Sequence, residues 1–103
     1  MAQAEVIEIL KTYLRILRSE GIQIEKAFLY GSYLTGTATE ESDIDLMLIT
    51  EKANDDNLAG MIWALTGKVN TKIEPFLVSP KHFYSDDNSP LVDLVRRTGL
   101  EIA

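Results

Sequence analysis

Asp43 and Asp45 stand at the head of a segment that is otherwise apolar: Ile44, Leu46, Met47, Leu48 and Ile49. Aspartate is depleted in strands, so a pair at the start of one points to chemistry rather than packing. Alternate side chains of an extended chain share a face, which sets both carboxylates on one side and Ile44 and Leu46 on the other. About 6–7 Å apart along the strand, they can hold one cation between them or share two cations ~3.5–4 Å apart. A third carboxylate, Glu74, lies in another apolar run, Ile73 to Val78. It reaches the same cations if its strand runs alongside, since neighbouring strands lie ~4.8 Å apart.

A second feature fits a complementary task. Gly31-Ser32 directly follows the apolar run that ends at Leu29-Tyr30. A glycine there lets the chain turn sharply and come close to a ligand. If a helical turn begins at Ser32, its free backbone amides offer donors to phosphate, and the Ser32 hydroxyl adds another. Cations on one side and amide donors on the other make a clamp for a triphosphate. Ser42, just before the double Asp, is suited to orient that turn by hydrogen bonding and is grouped with the nucleotide-binding residues. Pro75 cannot donate to a sheet ladder, which puts the Glu74 strand at an edge or on a bulge.

The charge distribution agrees. Residues 1–30 carry four acids and four bases, and residues 61–103 carry five of each. Residues 31–60 hold seven acids against Lys52 alone, so the whole net charge of −6 sits around the double Asp. Such a concentrated negative field attracts divalent cations. No basic stripe is present to track a phosphate backbone, which argues against extended nucleic-acid binding. The absence of cysteine excludes disulfides and thiolate metal sites. The first residues lack the basic and apolar regions of a signal peptide. No apolar run approaches the roughly 18 residues of a membrane helix. A cytoplasmic protein is expected.

The elements that must position these residues follow from periodicity. The 103 residues suffice for one domain, spanning 1–103, with a single modest core. Residues 4–19 are helical by period, with Val6, Leu10, Tyr13 and Leu17 as the apolar stripe. Flanking Ile7, Leu14, Ile9 and Ile16 widen that face to about half the circumference, beyond the ~100° one packing surface requires. Deep burial and a partner interface both account for it. Gly21 ends this helix. Strands are expected over 24–30, 43–49 and 71–78, and a helix over 54–66 with Leu58, Met61, Ile62 and Leu65 facing inward. Trp63 is expected in the core or its rim, and Tyr30 in the core. Ser89-Pro90 starts a final helix closed by Gly99, with Asp93 near its start and Arg96 and Arg97 near its end. Leu100 to Ile102 can add a short strand. His82, Lys72, Arg96 and Arg97 are read as solvated, packing or capping residues.

Gly31-Ser32, ten residues, then Asp43-Ile44-Asp45 resembles the signature of the nucleotidyltransferase superfamily typified by DNA polymerase β and kanamycin nucleotidyltransferase. The segments YGSYLTGTATEESDIDLMLI, KIEPFLVSPKHF and NSPLVDLVRRTGLEI extend the likeness over nearly the whole chain, which is similar to the minimal nucleotidyltransferases often encoded beside a HEPN-domain protein. The resemblance implies an α/β (α+β) fold of the polymerase β type, a small mixed sheet flanked by helices. It implies two Mg²⁺ ions and transfer of a nucleoside monophosphate from an NTP, AMP from ATP, to a hydroxyl acceptor. The implied acceptor is a tyrosine of a partner HEPN toxin, which makes the chain an antitoxin. By the same resemblance Asp43 and Asp45 are metal ligands, Gly31 and Ser32 hold the triphosphate, and Glu74 takes the third carboxylate position, as ligand or as base. The antibiotic-modifying relatives carry an additional helical domain for their sugar substrate, which argues against an aminoglycoside acceptor. A non-catalytic binding module that silences its partner by steric occlusion is the alternative. Oligomeric state and NTP preference are open.

Overall fold

The computed structural model describes residues 1–86 and 89–102. Helix α1, Gln3–Ser19, buries Val6, Leu10, Tyr13, Leu14 and Leu17, which recur at the three- and four-residue spacing of one helix face. Its flanking isoleucines Ile7, Ile9 and Ile16 are partly buried against the same core, so the wide apolar face packs within the chain. The helix closes through hydrogen bonds from Glu20, Gly21 and Ile22 to its last carbonyls, with Gly21 at φ 81°.

Strand β1, Lys26–Tyr30, runs into the four-residue helix α2, Ser32–Thr35. Strand β2, Ile44–Ile49, follows, then helix α3, Asp56–Leu65, extended by a 3₁₀ turn over Thr66–Lys68. Strand β3, Ile73–Val78, leads into a second short helix α4, Pro80–Phe83. Helix α5, Pro90–Thr98, and the two-residue strand β4, Leu100–Glu101, complete the order. The first three strands start one to two residues later than expected, and ahead of β1 Ile22 and Ile24 are buried in the lead-in rather than in the ladder. The Asp55 side chain caps α3 by accepting from the amides of Asn57 and Leu58. Ser89 caps α5 by accepting from Val92, with Pro90 at the first turn as expected.

The sheet order is β3-β2-β1-β4. β1 pairs antiparallel with both β2 and β4, whereas β2 and β3 run parallel. β3 is therefore an edge strand. Its carbonyls at Lys72 and Val78 accept from Ile44 and Thr50 of the β2 segment. By alternation the nitrogen of Pro75 faces outward, where the missing donor costs no ladder bond.

The two faces of the sheet bury separate clusters. Ala27, Leu29, Ile44, Leu46, Leu48 and Ile73 pack against α1, α2 and α3. Phe28, Met47, Ile49 and Val78 pack against Phe83 of α4 and Val92 and Val95 of α5. The Phe28 and Phe83 rings stack at 5.2 Å. Two expectations fail on α3. Met61 lies to one side of the Leu58, Ile62 and Leu65 stripe and is exposed, and Trp63 is also exposed. Among the described residues no helix is long and apolar enough to cross a membrane.

Candidate active site

The sheet face covered by α4 and α5 is covered only over part of its length. At the end where β1 finishes and β2 and β3 begin, the cross-strand row is Tyr30, Asp45 and Glu74. Residues paired across neighbouring strands point to the same face, so these three stand side by side, with Asp43 one pleat beyond Asp45. Tyr30 and Asp45 are half-buried, and Asp43 and Glu74 are exposed. The register thus gathers the three carboxylates that lie 31 positions apart at their extremes in the chain, Asp43 and Glu74.

The carboxylates feel each other. Partial burial, and then the charge of Asp43, holds Asp45 above the usual carboxylate range. Glu74 is also raised, by desolvation first, then by a hydrogen bond with Asp43 and by the charges of Asp43 and Asp45. Burial, followed by the charges of Asp45 and Glu74, pushes the Tyr30 phenol up to about 12, which keeps it neutral and able to donate. Among the described residues no ion pair to Asp43, Asp45 or Glu74 offsets this repulsion. Repelling carboxylates on one rigid face favour a bound cation, and their oxygen-only donor set suits a hard one such as Mg²⁺. As the side chains stand, no group of three or more Asp, Glu or His among the described residues is closed into a cage for a single ion.

Gly31 joins the turn to this row. Its φ of 79° and ψ of −153° fall in a region essentially reserved for glycine. A Cβ built on it would collide with the Asp45 carboxylate, meeting Cγ at 3.0 Å. The backbone at the start of α2 therefore lies directly against Asp45. Ser32 opens α2, whose first N–H groups have no carbonyl one turn earlier. The helix is held by Leu34 and Thr35 amides bonding back to Gly31, by burial of Tyr33, and by Gln3 Nε2 donating to the Tyr33 carbonyl at 3.0 Å.

Ser42 sits in the turn that returns the chain to β2. Its hydroxyl accepts from the Thr39 amide at 2.8 Å while its own amide donates to the Thr39 carbonyl. Lys72, just ahead of β3, donates from Nζ to the carbonyl of Glu40 and ties the same turn to the Glu74 strand. Two residues of this neighbourhood escape a reading of the sequence by type. Tyr30 reads as a core residue and Lys72 as a solvated one, and only the strand register places them here. His82 is exposed at the start of the second α-layer, as expected, and Arg96 and Arg97 engage Asp93 on α5.

Comparison with known proteins decides the family. Residues 5–80 match the family model described as "Polymerase beta, Nucleotidyltransferase". The chain belongs to the polymerase beta nucleotidyltransferase family. Its activity class is accordingly nucleotidyl transfer, and the mixed sheet with flanking helices is the architecture that the resemblance implied. A relative from Methanocaldococcus jannaschii, named "Putative protein adenylyltransferase MJ0141", is 26% identical over 102 residues, which cover 95% of this chain and 99% of that one. A second from the same organism, "Putative protein adenylyltransferase MJ1379", is 39% identical over 51 residues, half of each chain. A solved structure from Sulfolobus solfataricus described as a "putative nucleotidyltransferase" superposes with a TM-score of 0.58 at 15% identity, covering 78% of this chain and 72% of that one. That likeness is one of fold.

Proposed function

We propose that this chain is a Mg²⁺-dependent adenylyltransferase that moves AMP from ATP to a protein hydroxyl, a tyrosine of a HEPN-domain partner, with the α–β anhydride broken and pyrophosphate and the hydroxyl proton released, and acts as its antitoxin. The single observation that carries the reading is the row in which Asp45 and Glu74 stand opposite each other with Gly31 pressed against Asp45. In this reading Asp43 and Asp45 hold the metal ions and Glu74 completes the set from the neighbouring strand. Gly31 and Ser32 lie where backbone amides meet the phosphates, and Ser42 shapes the turn between them. Bound divalent cations would neutralise the triphosphate and polarise its α-phosphorus toward an attacking oxygen. The protein's share is positioning: two sheet strands and a glycine turn hold the donors fixed before the substrate arrives. The single domain, residues 1–103, has an open carboxylate rim that leaves room for an acceptor presented by another chain. The two Methanocaldococcus relatives, by name protein adenylyltransferases, support a protein acceptor.

The test is a thermal-shift scan with ATP, GTP, CTP and UTP, with and without Mg²⁺, beside Asp45→Asn. A ligand at about 100 times its Kd stabilises by ~2.7 kcal/mol. For a domain of this size that is upwards of about 10 °C. A Mg²⁺-dependent shift with ATP that disappears in Asp45→Asn supports the reading, as does an AMP-sized mass increase on a partner tyrosine. If Asp43→Ala still neutralises the partner in cells, the chain acts by occlusion and the catalytic reading is wrong.

A further inference from the structure

Phe76 is a large apolar side chain left exposed on the site-bearing face of the sheet. It lies two residues beyond Glu74 on β3 and directly opposite Met47. Strand alternation therefore turns it to the same face as the carboxylates, about 6–7 Å further along. Its row is Phe28, Met47 and Phe76. The first two are buried beneath Phe83, Val92 and Val95, whereas Phe76, at the edge, is 44% exposed. An exposed phenylalanine there leaves an aromatic face open to solvent within one nucleoside length of the carboxylate row.

Phe76 stands between that row and a cleft of about 340 Å³ at the C-terminal end of β2 and β3, lined by Phe76, Ala53, Asn54, Val78, His82 and Val92, among others. That volume lies at the lower end of small-ligand sites, which combine an apolar wall with a few polar groups. The cleft has both: Phe76 and Val92 supply apolar surface, and Asn54 and His82 supply side-chain donors and acceptors suited to the edge of a heterocycle. The amide of His82 is already taken by Ser79 Oγ at 3.1 Å, which fixes the start of α4 beside the cleft.

We infer that this cleft receives the nucleobase of the donor nucleoside triphosphate, stacked on Phe76, so that β3 carries the base platform and the third carboxylate on one strand face. The inference rests on the proposed triphosphate site and adds to it the residue that holds the base. Reach is compatible with it: along β3 the step from Glu74 to Phe76 is about 6–7 Å, an interval that a ribose between phosphates and base can span. Stacking also explains how a small open site can retain a nucleotide, since base–aromatic stacking tolerates any base and contributes appreciably in single contacts. The edge position of β3 keeps that aromatic face free of a further strand.

The experiment compares Mg²⁺-dependent binding of ATP and of inorganic tripolyphosphate to the wild-type chain, Phe76→Ala and Phe76→Trp, by calorimetry. Tripolyphosphate reads the phosphate and metal site alone, and ATP adds the base. Expected is that Phe76→Ala weakens ATP binding by roughly 5- to 100-fold, the range of one lost stacking contact, and leaves tripolyphosphate binding unchanged. Phe76→Trp should keep or tighten ATP binding. An unchanged thermal midpoint in each variant shows that the exposed position is not required for folding. Undiminished ATP binding by Phe76→Ala overturns the base platform while the triphosphate reading stands, even if transfer to the acceptor falls. Failure of the wild-type chain to bind tripolyphosphate or ATP overturns both readings together.

Discussion

The backbone of Gly31 packs against the carboxylate of Asp45 so closely that a single added methyl would collide with it. This contact joins the two halves of the motif, the glycine turn after β1 and the acidic head of β2. Gly31→Ala meets two obstacles at once, a backbone conformation reserved for glycine and the Asp45 side chain. The strain alone is of order 1–3 kcal/mol. Thermal unfolding should show that loss, and Mg²⁺–ATP binding should fall with it as Asp45 is displaced. A variant with wild-type binding would show that the turn does not shape the site.

Much of the fold was legible because punctuation residues lie where elements change. Gly21, Gly99 and the Ser89-Pro90 pair mark helix ends that the structure reproduces. Helix α4 was not legible, since four residues give no period to detect, although Ser79-Pro80 repeats the cap-and-proline signal of α5. Met61 was assigned inward because it neighbours Ile62 and Leu65, yet the helix axis turns it aside. In the candidate site, spacing along the chain showed that Asp43 and Asp45 share a face. Which residues stand beside them depends on register across strands, and that is fixed by core packing far from the site. Tyr30 opposite Asp45 and Lys72 beside the Glu40 turn could be known only from the sheet.

The tie between the two helices beneath the sheet can be tested apart from function. Tyr13 Oη donates to the Ile62 carbonyl at 2.5 Å in the buried core, joining α1 to α3. Burial drives the phenol well above its ordinary range, so it stays a neutral donor at any physiological pH. Tyr13→Phe keeps the ring and removes this donor, at a cost of about 0.5–1.5 kcal/mol. The melting temperature should drop by several degrees, with nucleotide affinity unchanged in the folded protein. An unaltered melting temperature would mean that the hydrogen bond adds nothing net.

Lys72 holds the turn that Ser42 shapes, through the Glu40 carbonyl. Lys72→Met preserves the aliphatic stem and removes this donor. One hydrogen bond is worth ~0.5–1.5 kcal/mol, so the KM for the nucleotide should rise by about 2- to 10-fold with kcat nearly constant. A fall in kcat at constant KM would instead place Lys72 among the groups that act only in the transition state.

The mutual repulsion of the carboxylates gives a pH signature whose sign is fixed by the direction of the shifts. Asp45 and Glu74 both titrate above the usual range in the folded chain, through desolvation and the neighbouring acids. The folded state therefore binds protons more tightly than the unfolded one. Their favourable contribution is complete below the unfolded carboxylate range, near pH 4, and is lost as pH rises through the folded values. In EDTA at pH 8, Asp45→Asn should then be more stable than wild type, by a few tenths to about 1 kcal/mol as for like charges paired across a sheet. The gap should narrow as the pH is lowered toward about 4, because the raised Asp45 carboxyl takes up its proton on the way down and sheds the repulsion. Adding Mg²⁺ at pH 8 should stabilise the wild type and leave Asp45→Asn behind, reversing the order of the two proteins. Chemical denaturation at the two pH values, with and without Mg²⁺, measures all of this. A gap that is the same at pH 4 and pH 8 would show that Asp45 is not held ionised against its neighbours, and a Mg²⁺ response retained in Asp45→Asn would remove it from the metal site.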